Sequence, residues 1–159
     1  MNKNDIRQFD LISPSKVILN EKNNLFFKNK FLGFGWSHNF GNEGVWSEGE
    51  NSFLLMSLPD TYKHDLIIKI NYDLNLGNNN DNFALKIFAN ENLVKELNFN
   101  KNRKINEISL NLEKNYLKSN ILQLHFKFTG LISPFENFES PDSRKLGILL
   151  KNFEVLKKN

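Results

Sequence analysis

A spacing of two residues between apolar side chains runs through most of this chain. Leu66, Ile68, Ile70 and Tyr72 alternate with Ile67, Lys69 and Asn71, and Ile108, Leu110 and Leu112 alternate with Ser109 and Asn111. Leu122, Leu124, Phe126 and Phe128 alternate with Gln123, His125 and Lys127. Successive side chains of an extended strand point to opposite faces, so each stretch describes a strand with one face in a core and the other toward water. An amphipathic helix needs apolar residues three and four apart, and no segment offers that stripe with caps. Residues 113–119 have room for one turn at most.

Other stretches extend the pattern. Phe53-Leu54-Leu55-Met56 is apolar on both faces and predicts a central strand. The runs 83–89 and 93–99 flank Asn90-Glu91-Asn92, which predicts a hairpin because Asn accepts positive φ. A last strand is expected over 147–156, with Phe153 and Val155 inward. Short strands joined by Asn, Asp, Gly and Pro predict an all-β chain, an antiparallel β-sandwich or a barrel. Alternation alone does not choose between them. At 159 residues the chain suits a single domain, 1–159. Residues 1–30, with "SKVILN" and "NLFFKNKF", are expected to add strands or an arm to it. The tetrapeptide Leu-Ile-Ser-Pro occurs at 11–14 and 131–134 with unmatched flanks, so no repeat is read.

Composition removes several function classes. The net charge is +3 with Lys and Asp/Glu interspersed, and no run of five basic residues occurs, so no nucleic-acid partner is expected. There is no cysteine, hence neither disulfide nor thiolate chemistry. The N-terminal sequence lacks the apolar run of a signal peptide, and no later run reaches transmembrane length. A soluble, cytoplasmic protein without a membrane span is the expectation.

Catalytic and metal chemistry find little support. His38, His64 and His125 lie far apart and lack paired metal-ligand spacings, and His125 falls on the watered face of its strand. Asn78 to Asn82 with Asp81 offer oxygens for calcium, or simply a polar hairpin tip. No cofactor is called for. There is no Gly-x-Ser-x-Gly elbow. Glu43, Glu48, Glu50 and Asp142 are carboxylates of the right type for sugar hydrolysis, but their placement is not fixed by sequence.

Two segments stand apart. The first, GFGWSHNFGNEGVWSEGE (33–50), sets Trp36 and Trp46 with His38 and Glu43 on a frame of glycines. The second, LISPFENFESPDSRKLG (131–147), is kept irregular by Pro134 and Pro141 and delivers Asp142, Ser143 and Arg144 just before the final strand. A Trp face stacks on the C–H face of a sugar ring, and an Arg fork matches a carboxylate or paired hydroxyls. The candidate ligand-binding set is therefore Trp36, His38 and Trp46 for stacking, with Glu43, Asp142 and Arg144 for hydrogen bonds or loop fixing. A structural alternative stands beside it: both Trp residues plug the core, and Arg144 pairs with Glu43 to pin two loops together.

The order of these residues resembles a known family. Gly33, Gly35 and Trp36, then Glu43, Val45, Trp46 and Ser47, and late in the chain Ser133, Pro134, Asp142, Ser143, Arg144, Leu146 and Gly147, are similar to a pattern in small carbohydrate-binding-module-like β-sandwiches. Such modules occur beside bacterial glycosyltransferases and other polysaccharide-assembly proteins. The resemblance covers about residues 30 to 156. It implies a jelly-roll-like sandwich and a non-catalytic, accessory role in making capsule or lipopolysaccharide. The implied partners are a saccharide or glycan and a glycosyltransferase. A protein-interaction module without a sugar site is the rival expectation, and a carboxylate-dependent sugar-active enzyme the third. No transferase domain accompanies the motifs in this sequence.

Overall fold

The computed structural model describes residues 15–18, 31–38, 41, 43–58, 63–74, 82–100, 106–117 and 119–158. The strands among them are β1 (Ser15–Ile18), β2 (Val45–Glu48), β3 (Asn51–Ser57), β4 (Leu66–Leu74), β5 (Asn82–Ala89), β6 (Asn92–Asn100), β7 (Glu107–Leu112), β8 (Ile121–Thr129) and β9 (Leu146–Lys157). One 3-10 turn, Lys114–Tyr116, sits between β7 and β8, within the stretch expected to hold at most one turn.

The strands form two antiparallel sheets. In one, β1 and β2 lie end to end along one edge of β9, followed by β4 and β7. In the other the order is β3-β8-β5-β6. Most connections cross from one sheet to the other, β1 to β2 and the β5–β6 hairpin excepted, which is the jelly-roll solution to the edge problem of antiparallel sheets. The chain is thus a β-sandwich, and the alternative of a closed barrel is set aside.

The alternation seen in the sequence becomes the core. Leu66, Ile68, Ile70 and Tyr72 of β4 and Ile108, Leu110 and Leu112 of β7 are buried from one side. Phe83, Leu85 and Ile87 of β5 and Leu122, Leu124, Phe126 and Phe128 of β8 meet them from the other. Each fully buried side chain of this size contributes about 1.5–3 kcal/mol. Aromatic rings interlock edge to face, Phe31 on Phe153 at 5.8 Å and Trp36 on Phe126 at 5.9 Å. Phe153 and Val155 point inward as expected. Leu146–Lys157 is longer than the expected strand by one residue at each end. A bulge explains its broken alternation: Asn71 faces Asn152 and Tyr72 faces Leu150, leaving Lys151 as the extra residue.

Two local expectations gain a physical explanation. The hairpin between β5 and β6 turns on Asn90 (φ 43°) and Glu91 (φ 72°), the double positive φ of a type I′ turn. The Asn90 amide donates to the carbonyls of Tyr116 (3.0 Å) and Ile121 (3.1 Å) and accepts from the Gln123 N–H (2.9 Å), tying the hairpin to the β7–β8 connection. The central strand expected at Phe53–Met56 is corrected. It belongs to β3, the last strand in its sheet order, and its far edge is covered by residues 31–34. There the Gly33 N–H donates to the Phe53 carbonyl (2.8 Å) and the Phe53 N–H to the Phe34 carbonyl (2.9 Å). The apolar outer face of β3 reflects that cover together with stacking of Phe53 on His125 at 4.4 Å.

Candidate functional site

The two singled-out segments meet at the end of the sandwich where β2 ends and β9 begins. β2 pairs with β9 on one side, Val45 with Leu150 and Trp46 with Leu149. On its other side it meets residues 35–37: the Ser37 N–H donates to the Trp46 carbonyl (2.9 Å) and the Glu48 N–H to the Gly35 carbonyl (2.8 Å). Gly35 makes this possible. Its φ is +89°, and a Cβ there would sit 1.9 Å from the Asn51 carbonyl oxygen. Gly147 admits another close approach, between the Ser47 hydroxyl and the Phe128 ring. Ser47 is fully buried and its Oγ accepts the Ile148 N–H at 2.9 Å, replacing a ladder bond where β2 and β9 slip register.

A charged clamp closes this rim. Nε of Arg144 donates to Asp142 Oδ1 (2.9 Å) and its Nη2 to Oδ2 (2.6 Å), while Nη1 donates to Ser37 Oγ (2.8 Å). The Arg144 N–H also donates to Asp142 Oδ1 (3.0 Å). These bonds hold the Asp142 carboxyl down at about 2, against an ordinary 3.8. A carboxylate so held is a poor general acid near neutrality. The same pairing raises the Arg144 pKa, with Glu48 adding to it. The expected Arg144–Glu43 pairing is corrected: Arg144 spends its fork on Asp142 and Ser37.

The structure sorts the remaining candidates. Trp36 is 9% exposed, its indole N–H donates to the Phe53 carbonyl (2.8 Å), and its ring packs on Phe126. It is a core plug, and its assignment as a stacking platform is corrected by that burial. Trp46 differs. In β2 Val45 and Ser47 point inward and Trp46 and Glu48 outward, and Trp46 is half-buried on the outer face. Leu149 lies opposite it, and Asp73 faces Leu149 from β4. Asp73 Oδ2 receives Lys151 Nζ at 2.6 Å. That bond raises the Lys151 pKa, and the nearby Glu43 charge adds to it. Glu43 therefore belongs with Lys151 and Asp73, not with Arg144. His38 is exposed one residue beyond Ser37. Glu48, weighed in the sequence only as a carboxylate by type, joins the group through strand alternation. Asp73 and Lys151 were missed because their pairing arises from a bulge the sequence does not announce.

Residues 133–139 make a turn of unusual completeness. The Ser133 N–H donates to Glu136 Oε2 (2.7 Å) and the Glu136 N–H to Ser133 Oγ (3.2 Å), a capping box with proline at the first helical position. This holds the Glu136 carboxyl below its usual range. At the far end the Glu139 N–H donates to the Pro134 carbonyl (2.9 Å) and the Phe138 N–H to the Phe135 carbonyl (3.0 Å), a Schellman closure. The left-handed position is filled by Phe138 at φ +61° where glycine is usual. Phe135 and Phe138 are 62% and 90% exposed, and buried Asn137 has no hydrogen-bond partner for either side-chain polar atom among the described residues. The spelling Ser-Pro-Phe-Glu was legible as a capping box, a signal masked by reading the prolines only as breakers.

Elsewhere, His125 is on the outer face as expected but half-buried, stacked between Phe53 and Phe88, with Nε2 at 2.8 Å from Asn51 Oδ1. Desolvation, then Lys127, lowers its pKa. Of the calcium candidates, residues 78–81 lie outside the described residues, and nothing is described of the Asn82 side chain. No group of three or more His, Asp or Glu able to hold a metal ion occurs among the described residues. Among these residues no helix is long and apolar enough to cross a membrane.

No protein-family model matches the chain, and no curated protein matches its sequence. Solved structures match its fold. Dimeric latent PorU from Porphyromonas gingivalis aligns with a TM-score of 0.51 at 12% identity, over 92% of this chain and 13% of that one. The CBM36-1 domain of a multidomain xylanase from the hindgut metagenome of Trinervitermes trinervoides aligns at 0.48 and 8% identity, over 91% and 99% of the two chains. The GH26-CBM35 β-(1,4)-mannanase of Podospora anserina aligns at 0.47 and 8% identity, over 92% and 28%. At such identities the likeness is one of fold.

Proposed function

We propose that this jelly roll is a non-catalytic carbohydrate-binding module whose saccharide contacts center on Trp46. The observation that carries this reading is the setting of that ring. Trp46 is half-buried on the outer face of its sheet, with Glu48 on the same strand face and Leu149 and the Asp73–Lys151 pair across β9. The Arg144–Asp142–Ser37 clamp fixes the adjoining rim. An aromatic face flanked by fixed charges suits a ring with an apolar face and hydroxyls at its edge. Affinity in the micromolar to millimolar range follows from so shallow a surface. The resemblance in the sequence extends the proposal to an accessory role beside a cytoplasmic glycosyltransferase in bacterial surface-polysaccharide assembly.

The test is a glycan array with the intact chain, followed by NMR titration of the strongest glycan. Saturable shifts around Trp46, Glu48 and Arg144 are expected. Trp46→Ala should weaken binding by about tenfold, or about 1.4 kcal/mol, with thermal unfolding little changed. Binding that Trp46→Ala leaves untouched sinks the assignment.

A second reading, docking of a partner enzyme without a sugar site, is favored by the Phe135–Phe138 turn. Its Ser133 and Glu136 side chains are spent on each other's backbone, which leaves two exposed rings on a capped turn, a hot-spot arrangement. A blank array, together with transferase binding lost in Phe135→Ser/Phe138→Ser, would select it.

A further inference from the structure

At the end of the sandwich opposite the rim, Leu66 opens β4 between the last residues of its two neighbors, facing Leu112 of β7 and Lys157 of β9. Because the strands are antiparallel, the residues just beyond these three ends must converge. They are Lys63, His64 and Asp65 before β4, Lys114 after β7 and Lys158 after β9, and together they line a cavity of about 280 Å³.

Asp65 organizes the convergence. Its Oδ1 accepts the Lys114 N–H at 2.8 Å, and its backbone carbonyl accepts the Lys158 N–H at 2.9 Å. The three segments are laced together, so the bases of the lysine stems cannot drift apart. Three lysines and one carboxylate line the recess, and the carboxylate is already committed to a backbone N–H.

Some basic groups elsewhere on the surface are neutralized by a partner. Lys86 pairs with Glu96 (3.4 Å), Lys151 with Asp73 (2.6 Å) and Arg144 with Asp142 (2.6 Å). Lys114 and Lys158 pair with no carboxylate among the described residues. Like charges gathered in a concavity repel one another and focus a positive potential outward.

We infer that this cavity binds a compact oxyanion, a phosphate or carboxylate group either free or carried on a sugar-sized ligand. Lysine ammonium groups act as mobile point charges and suit an anion without requiring a fixed fork geometry. The volume holds a phosphate with a monosaccharide-sized remainder, below the usual range for larger ligands. A nucleic-acid backbone is disfavored, since five residues in one recess make no track along which phosphates would follow. This site is independent of the Trp46 surface and stands whether or not that surface binds glycan.

The experiment is an NMR and calorimetric titration of the whole chain at low ionic strength with inorganic phosphate, a hexose 6-phosphate and a hexuronate. Lys114→Gln/Lys158→Gln is the test variant, and Lys86→Gln/Lys127→Gln is a control of equal charge. Saturable shifts at Asp65, Lys114 and Lys158 are expected. Affinity should fall about tenfold in the test variant and less than about twofold in the control. Tighter binding of the sugar phosphate than of phosphate assigns a phosphorylated sugar, equal binding assigns free phosphate, and preference for the uronate assigns an acidic sugar. If the test variant unfolds, Lys158→Gln alone, beyond the last strand, provides the reading. Absence of saturation, equal loss in both double variants, or stronger binding of a short oligonucleotide leaves an adventitious ion only and overturns the assignment.

Discussion

The two ends of the sandwich are laced in the same manner but charged in opposite ways. At the rim, Ser37, Ser47 and Ser133 supply hydroxyl staples, and the charges beside them are paired, Arg144 with Asp142. At the other end Asn90 and Asp65 supply the staples, and Lys114 and Lys158 near Asp65 pair with no carboxylate among the described residues. Closing an end of a jelly roll is work for short polar side chains on backbone groups, so charge is left over for ligands. The rim commits its charge to shape, and the lysine end leaves it available.

If the staples carry the closure, the most severe damage comes where backbone meets backbone. Gly35→Ala must place a methyl within 1.9 Å of the Asn51 carbonyl at φ +89°, so the segment has to part from β3. A loss of about 3–4 kcal/mol is expected by urea unfolding. A loss below about 1 kcal/mol would mean that residues 35–37 do not hold the rim.

The matching test at the opposite end is Asn90→Ala. It strands the carbonyls of Tyr116 and Ile121 and the Gln123 N–H, and it strains the type I′ turn. About 2–3 kcal/mol is expected. Asn90→Gly relieves the turn while still losing the bonds, so it should recover up to about 1 kcal/mol. Equal losses in the two variants would show that the side-chain bonds alone matter.

Charge at the rim predicts a pH dependence. The unfolded chain takes up a proton at Asp142 near 3.8, whereas the folded chain refuses it until about 2. The clamp's contribution is therefore present above pH 3.8 and lost as pH falls toward 2. Both side chains are partly exposed, so the effect is small, below about 1 kcal/mol. Asp142→Asn should flatten that part of the acid limb, read as a smaller change in urea midpoint between pH 4 and about 2 than the parent shows. An unchanged acid limb would move the rim's closure entirely onto Ser37 and Ser47.

How much of this was legible in the sequence depends on the range of the interaction. Period two gave the faces of β4, β7 and β8 directly, because burial repeats with the strand. Asn90 revealed its turn because positive φ favors its side chain. Trp36 misled, since exposure is not encoded by residue type: the same glycine frame that looked like a platform let the indole sink against Phe126. Asp73 and Lys151 were hidden because their pairing depends on a bulge in β9, and the lysine pocket because its members are spread from Lys63 to Lys158 and meet only through topology.

The smallest expected effect separates the rim's shape from its use. Phe138 occupies a left-handed position with its ring 90% exposed, so it gains little burial for its backbone strain. Phe138→Gly removes the strain and the ring while the capping box and the Glu139–Pro134 bond remain. Relief of strain, offset by the freedom glycine adds to the unfolded chain, should leave a net gain of about 0.5 kcal/mol, seen as a small rise in melting temperature. A residue whose removal stabilizes the fold is retained for contact with something outside it. Destabilization instead would show the ring packing onto the chain, and the docking reading would lose the observation that supports it.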